Sequence, residues 1–460
     1  MFSLYLSSTS VCCQRSTSCV TLVVVLGCLT VLGIVLAITV LERPSTSKDH
    51  DTLPEEDGWG NFSTDHMVLV ESIPQYVKYK ANVTFGIPLE KAWKDLISVA
   101  THQVDVVSFY WTLTGDDISV NSSSDKPGRQ ILKDLEDLPS RNVSVRLLYS
   151  VPSVRTNSTD LKILKEKGVQ VRSVNFGRLT RGVMHSKFWI VDRKHVFIGS
   201  ANMDWRALTQ VKELGVVIYN CSSLAKDLHK IFQSYWVMGR SNSTLPQPWP
   251  PEYDTVINKE HPLVVKTDNV SGSPPSFCPP SRTQDLEAIL SIISDAQRFV
   301  DVAVMEYFPS TRFEKPQRYW PVIDDAIRTA AFEKKVKIRL LVSCGRDSDP
   351  SMLPFLASLA SMDIYIVPVG NQSDIPYSRV NHNKYMVTDK VAYVGTSNWS
   401  GDYFLTTAGV GLVISQHAPH PVWKTKALQS QLRAVFDRDW NSEFAVHLAD
   451  LKHHPDCALS

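Results

Sequence analysis

Two patterns alternate along most of the chain. Apolar residues at helical spacing, as in KAWKDLISVATHQ, give way to short β-branched runs such as VDVVSFYWTL, and the alternation then begins again. Helical periodicity interleaved with strand-like runs bounded by turns predicts an α/β architecture with a mainly parallel sheet covered on both faces. The order also recurs. The first half reads KAWKDLISVATHQ, VDVVSFYWTL, QILKDLEDL, VSVRLLYS, LKILKEKGVQVRSV, VMHSKFWIVD. The second reads DLEAILSIISDAQRF, VDVAVMEYF, VIDDAIRTAAFEK, VKIRLLVSC, MLPFLASLASMDIYIVPV, VNHNKYMVTD. RLLYS answers RLLVS, and GSAN answers GTSN. Such self-similarity predicts two tandem α/β/α sandwich repeats, residues 67–244 and 285–460, packed about a pseudo-two-fold axis. Each closes with an amphipathic helix ending in Trp, SLAKDLHKIFQSYW and ALQSQLRAVFDRDW. Residues 245–284, with PQPWPP and SPPSFCPP, are expected to be a Pro-rich linker rather than a core element.

The pattern is different before residue 67. Cys19–Leu41 carries no charge over 23 residues, and a helix of ~20 such residues crosses a bilayer core. A cleaved signal peptide is the competing reading, but its apolar region is usually shorter, ~7–15 residues. A retained anchor is expected, with residues 1–18 a cytosolic tail and 42–66, containing TLPEEDGWG, a polar stalk. Ten N-x-S/T triplets follow the anchor. That density places everything after it in a lumen.

Composition narrows the class. At 460 residues with 43% hydrophobic and 21% charged, the chain is globular, and a net charge of +1 excludes a global basic field. Any recognition of a polyanion must be local. Cys221, Cys278, Cys344 and Cys457 are lumenal and permit three pairings; Cys344 with Cys457 is the expected one, both falling in the second half.

The chemistry concentrates in VMHSKFWIVD and VNHNKYMVTD, which spell H-x-K-x-x-x-x-D twice, 197 residues apart. Side chains two apart on a strand share a face, so His185 projects with Lys187 and His382 with Lys384. Asp192 and Asp389 fall on hairpin turns, as supports rather than proton carriers. Folding the repeats together would bring both pairs to one seam. One neutral imidazole would attack phosphorus, the other, protonated, would release the leaving oxygen, and the lysines, taken as cationic, would hold the phosphate. No metal or other cofactor is required, and no metal-binding motif stands in the chain. Downstream, Ser200, Asn202, Thr396 and Asn398 are candidate phosphate-binding groups. Asn398 is also a sequon, where a glycan would block such a role. Glu213 has Gly409 as its aligned partner. A carboxylate on one imidazole nitrogen strengthens the other as a nucleophile, so His185 is assigned as nucleophile and His382 as general acid, with swapped roles the alternative. Phe109, Tyr110, Trp111, Tyr307 and Phe308 are candidate base-stacking groups.

The paired motif, each copy followed by G-S/T-x-N, resembles the phospholipase D superfamily. SFYWTLTG, GSANMDWR, LTQVKELGVVIYNCS and RVNHNKYMVT, with the single anchor, resemble its endolysosomal branch of members three and four; GRLTRGVMHSKFW, MEYFP and VPVGN are closer to member four. The resemblance spans the chain from about Met67 onward. It implies a type II membrane glycoprotein of endoplasmic reticulum, Golgi and endosome, released by proteolysis into the lysosome. It also implies a 5′-to-3′ exonuclease on single-stranded DNA and RNA that limits endosomal Toll-like receptor activation. The alternative is a transphosphatidylase making bis(monoacylglycero)phosphate from a lysophospholipid. The membrane, through the anchor, and a second copy of the chain in a homodimer complete the implied partners. His185, Lys187, His382 and Lys384 match the family's catalytic quartet, with Asn202, Asn398 and Glu213 in support. Asp389 stands where relatives often carry Glu. No cysteine precedes MVLVESIP, where relatives carry one or two. A binding protein that only retains the fold is the third class, against which both intact motifs speak.

Overall fold

In the computed structural model, the described residues from His66 onward belong to one compact unit. The structure describes residues 66–453 apart from 81, 154–157, 264–268, 346–347, 360–361, 367–373 and 416–426. The expected tail, anchor and nearly all of the stalk lie outside the described residues, and no described helix is long and apolar enough to cross a membrane.

Two sheets carry the fold. In the first, β1 (His66–Ser72), β2 (Gln103–Val107), β3 (Ser144–Ser150), β4 (Gln170–Val174), β5 (Phe188–Val191), β6 (His195–Gly199) and β7 (Glu213–Tyr219) lie in the order β1-β7-β6-β5-β2-β3-β4. In the second, β8 (Asn269–Ser273), β9 (Phe299–Val304), β10 (Lys337–Cys344), β11 (Met362–Ile366), β12 (Lys384–Thr388), β13 (Val391–Gly395) and β14 (Gly409–Ser415) lie in the order β8-β14-β13-β12-β9-β10-β11. Ile87–Pro88 extends the first sheet beside β1, and Ala445–His447 extends the second beside β11. The seven-strand orders match position by position, and so do the strand senses.

Those senses correct the expectation of a mainly parallel sheet. Only β2-β3-β4 and β9-β10-β11 run parallel within the matched strands; their other pairings are antiparallel. The reason is connection length. Asp192 and Arg193 take φ of 52° and 51° in the three-residue turn between Val191 and His195, and so short a hairpin joins antiparallel neighbours. Parallel neighbours need a crossover, and helices supply it: α2 (Lys126–Glu136) between β2 and β3, α3 (Thr159–Glu166) between β3 and β4.

The helices form where the apolar spacing predicts. In LEKAWKDLIS, the helix α1 (Leu89–Ser98), Leu89, Ala92, Trp93, Leu96 and Ile97 recur at steps of three and four and are the buried face. Glu90–Lys94 and Lys91–Asp95 pair across single turns on the solvent side, worth only a few tenths of a kcal/mol each. Burial of the apolar stripe therefore holds this helix. Its core partners lie on one face of the first sheet, Val104, Val106, Val145 and Leu147, together with Ile131 of α2 and Leu164 of α3. The second sheet repeats this on its own outer face with α5 (Asp285–Asp295) and α6 (Val322–Phe332). Residues one step along each strand, such as Val107, Leu148 and Ile190 or Ala303, Leu341 and Val387, meet instead in a core shared by both halves. The closing helices α4 (Ser222–Met238) and α7 (Leu428–Trp440) join that core.

The terminal Trp of each closing motif now has a reason. Asp105 binds Arg146 through two contacts of 2.7 Å, and Asp301 binds Arg339 through two of the same length. Each guanidinium lies over aromatic rings of a closing helix, Phe232 and Trp236 or Phe436 and Trp440. The arrangement satisfies a charge pair that would otherwise be costly to bury.

The linker needs a second correction, because β8 falls inside residues 245–284, fully buried and paired with β14. NVSGS gives little strand signal, having one large apolar residue. Small side chains suit its close packing, since a Cβ on Gly272 would stand 3.0 Å from Cys278 Sγ. Cys344 is disulfide-bonded, and Cys457, its expected partner, lies outside the described residues.

Candidate active site

The halves meet along a backbone seam. Ala408 N–H donates to Val183 O and His185 N–H to Ala408 O, both at 2.8 Å; Lys212 N–H donates to Val380 O at 2.9 Å and His382 N–H to Lys212 O at 2.8 Å. Each histidine is thus tied by its own amide to the opposite half. His185 and Lys187 lie in the extended residues just before β5, while His382 precedes β12, whose first residue is Lys384. The seam places both imidazoles on the wall of one cavity of about 260 Å³, which Phe109, Tyr110, Asn202, Glu306 and Asn398 also line.

The two rings are held differently. His185 Nδ1 is 2.7 Å from the carbonyl oxygen of Thr396. His382 Nδ1 lies 2.9 Å from both carboxylate oxygens of Glu213. This reverses the expectation that Glu213 serves His185. The reason is the crossing at the seam: β7, which Glu213 opens, packs beside the second motif, not the first. At Gly409 no side chain can take the matching role, because a Cβ there would stand 2.4 Å from Ser397 Oγ.

Both Nδ1 atoms face acceptors, so each neutral ring carries its proton on Nδ1 and leaves Nε2 for chemistry. Burial, followed by the charges of Lys187, Lys384 and His382, pushes the His185 pKa well below the usual histidine value. Burial also lowers His382, but Glu213 works against the shift. The lysines are not simply always cationic. Burial pushes Lys384 down to about 7, and burial plus the neighbouring Lys384 push Lys187 well below its ordinary value. Lys384 is therefore charged in acid.

The remaining candidates divide. Asn202 and Asn398 line the cavity, Asn398 Nδ2 lying 3.3 Å from Glu306 Oε2 and 3.2 Å from Tyr403 OH. Ser200 and Thr396 are fully buried and bonded to the neighbouring strand, Ser200 Oγ also to Glu213, so their hydroxyls are not phosphate contacts. Asp192 and Asp389 stand at the far ends of β5 and β12 from the cavity. Asp192 accepts the amides of Thr101, His102 and Gln103, each at 2.8 Å, and Asp389 accepts those of Gln297 and Arg298. Those hydrogen bonds outweigh burial and hold both carboxyls below the usual range. They brace the hairpins. Among the aromatic candidates, Phe109 and Tyr110 reach the cavity, whereas Trp111, Tyr307 and Phe308 are buried in the core.

Sequence reasoning missed Glu306, Tyr403 and the buried Asp204–Arg206 pair, all on the cavity wall. MEYF and DYF carried no spacing signal that would single them out. Among the described residues, no group of three or more His, Cys, Asp and Glu is placed to hold a metal ion.

Paired histidines and lysines on a seam between two matched sheets define a phospholipase D-like fold and site. The chain belongs to the family described as PLD3/4, PLD-like domain, whose profile matches residues 80–373. It is 51% identical over 408 residues to human 5'-3' exonuclease PLD4, covering 85% of this chain and 80% of that protein. It is 47% identical to the mouse protein of the same name, covering 94% of this chain and 92% of that one. With 5'-3' exonuclease PLD3 of Xenopus tropicalis the identity is 48%, over 82% of this chain and 80% of that protein. The solved structure of phosphatidylserine synthase from Haemophilus influenzae Rd KW20 shares the fold at a TM-score of 0.53 and 14% identity, covering 80% of this chain and 88% of that one.

Proposed function

We propose that the chain is a phosphodiesterase that removes nucleotides from the 5′ end of single-stranded DNA and RNA through a phosphohistidine intermediate, and so limits endosomal Toll-like receptor activation. The observation that carries the chemistry is the meeting of His185 and His382 at one cavity, each with Nδ1 occupied and Nε2 left over. The exonuclease names of relatives near half-identical support the substrate class.

His185 Nε2 attacks phosphorus and the bond to the leaving 5′ oxygen breaks, that oxygen taking a proton from His382 Nε2. Water then attacks phosphorus, His382 removes its proton, and the phosphorus–nitrogen bond breaks to restore neutral His185. Lys187 and Lys384 offset the charge on the non-bridging oxygens, with Asn202 and Asn398 as hydrogen-bonding partners. The role assignment matches the expectation, but for the opposite reason: Glu213 favours the protonated ring of His382, the acid, while His185 stays neutral through burial. Phe109 and Tyr110 offer stacking faces to the terminal base.

The seam and the matched strand orders support reading the halves as repeats of one unit about a pseudo-two-fold axis. The charge-free Cys19–Leu41 and the ten sequons support a type II membrane glycoprotein; the resemblance to the endolysosomal branch supports endoplasmic reticulum, Golgi and endosome as its route, with the lumenal part reaching the lysosome. Asn269 and Asn398 are only 3% and 4% exposed, so glycans belong at other sequons.

End-labelled single-stranded oligonucleotides at acid pH test the reading. Stepwise release from the 5′ end, with phosphate trapped on His185, is the expected result. Release from the 3′ end, internal cleavage, or turnover only of phospholipid with a lysophospholipid acceptor would each reject it.

A further inference from the structure

The two histidines occupy matched positions, yet their surroundings are not matched. Phe109 O accepts the Ser150 amide and Met305 O the Ser343 amide, which pairs Phe109 with Met305 across the two halves. The short helices Trp205–Thr209 and Gly401–Leu405 pair Ala207 with Tyr403, and the first residues of β7 and β14 pair Glu213 with Gly409. At His185 the three positions are Phe109, Tyr403 and Gly409. At His382 they are Met305, Ala207 and Glu213. One ring is enclosed by aromatic side chains and the other faces a carboxylate.

The enclosure is close. The Phe109 ring lies 5.3 Å from the His185 ring, centroid to centroid, and the Tyr403 ring 5.1 Å at 75°. One comes from each half, so the cage forms only when the seam closes. Tyr403 is itself fixed, with Phe313 at 6.2 Å and its hydroxyl accepting from Asn398. The charged groups that face His185 are Lys187 before β5, Lys384 on β12 and His382, with Glu306 beyond Asn398. The nearby cations oppose protonation of the ring, and dry walls add to that opposition.

We propose that Phe109 and Tyr403 are positioning residues that keep the His185 imidazole dry, oriented and uncharged, so that it remains a nucleophile in an acidic compartment where a solvated histidine would be protonated. The inference rests on His185 as the nucleophile. Its consequence is a division of labour written into three matched positions.

The test combines the acid limb of kcat/KM with a histidine-labelled NMR titration in wild type, Phe109→Leu, Tyr403→Leu and Tyr403→Phe. Opening the cage admits water and raises the pKa of His185, so the acid limb should move upward by about one pH unit in the two Leu variants. That costs roughly tenfold in activity at pH values below the wild-type limb. Tyr403→Phe keeps the ring and loses only the hydroxyl, so its limb should stay in place. An unmoved limb in both Leu variants, or an equal shift in Tyr403→Phe, would overturn the proposal. If Tyr403→Leu does not fold, the half-buried Phe109 carries the test alone. Trapping the phosphorylated residue in the same samples separates the two failures. A label on His382 rejects the nucleophile assignment itself. A label on His185 with an unmoved limb rejects only the cage.

Discussion

His185 and His382 stand in positions that the two halves build in the same way, and they are prepared for opposite tasks. The first takes its orientation from the Thr396 carbonyl and is walled by Phe109 and Tyr403; the second takes its orientation from the Glu213 carboxylate. A neutral carbonyl fixes a tautomer and stabilises the charged ring only weakly, whereas a carboxylate fixes it and stabilises the charge strongly. In the proposed mechanism, two copies of one motif thus become a nucleophile and a general acid through their different neighbours.

The hardest break in that comparison is removal of either ring. His185→Ala and His382→Ala should each lower turnover of oligonucleotides by roughly 10³-fold or more. They should part company on a p-nitrophenyl phosphodiester, whose leaving group needs no proton: His382→Ala should still form phosphohistidine, and His185→Ala should not. Formation of the intermediate in His185→Ala alone would exchange the two roles. Lys384→Met comes next, with an expected loss of roughly 10²–10³-fold in kcat/KM, measured at acid pH where the wild-type ammonium is charged.

Glu213→Gln sharpens the comparison through pH. Activity rises with pH as His185 loses its proton and falls as His382 loses its own. His185 is the more depressed of the two, so the profile should be a bell with an acidic optimum. Removing the carboxylate lowers His382 further, moving the alkaline limb to lower pH and costing roughly 10–100-fold at the optimum. A shift confined to the acid limb would place Glu213 on the wrong histidine. Asp192→Ala should have the smallest effect on catalysis. Its loss should cost about 1–3 kcal/mol of stability in urea unfolding, with activity of the folded enzyme nearly unchanged.

Particular residues show how far the chain could be read in advance. The apolar stripe of α1, the hairpin at Asp192 and the two histidine–lysine pairs were all legible, because each depends on spacing within a few residues. The strand β8 was not, since NVSGS is defined by its place beside β14 rather than by its own pattern. Glu306 and Tyr403 were equally silent, lying in ordinary segments that matter only because the cavity forms there.

Local pattern alone determined the duplicated order of elements, the chemistry-bearing side chains and their family, because periodicity and turn residues act over one or two turns of backbone. Only the closed seam decided that Glu213 meets His382, that Thr396 offers its carbonyl rather than its hydroxyl, and that burial pushes both lysines below their ordinary pKa. Those outcomes depend on distances between residues far apart in the chain and on the exclusion of water between them. Neither quantity exists until the two halves have packed.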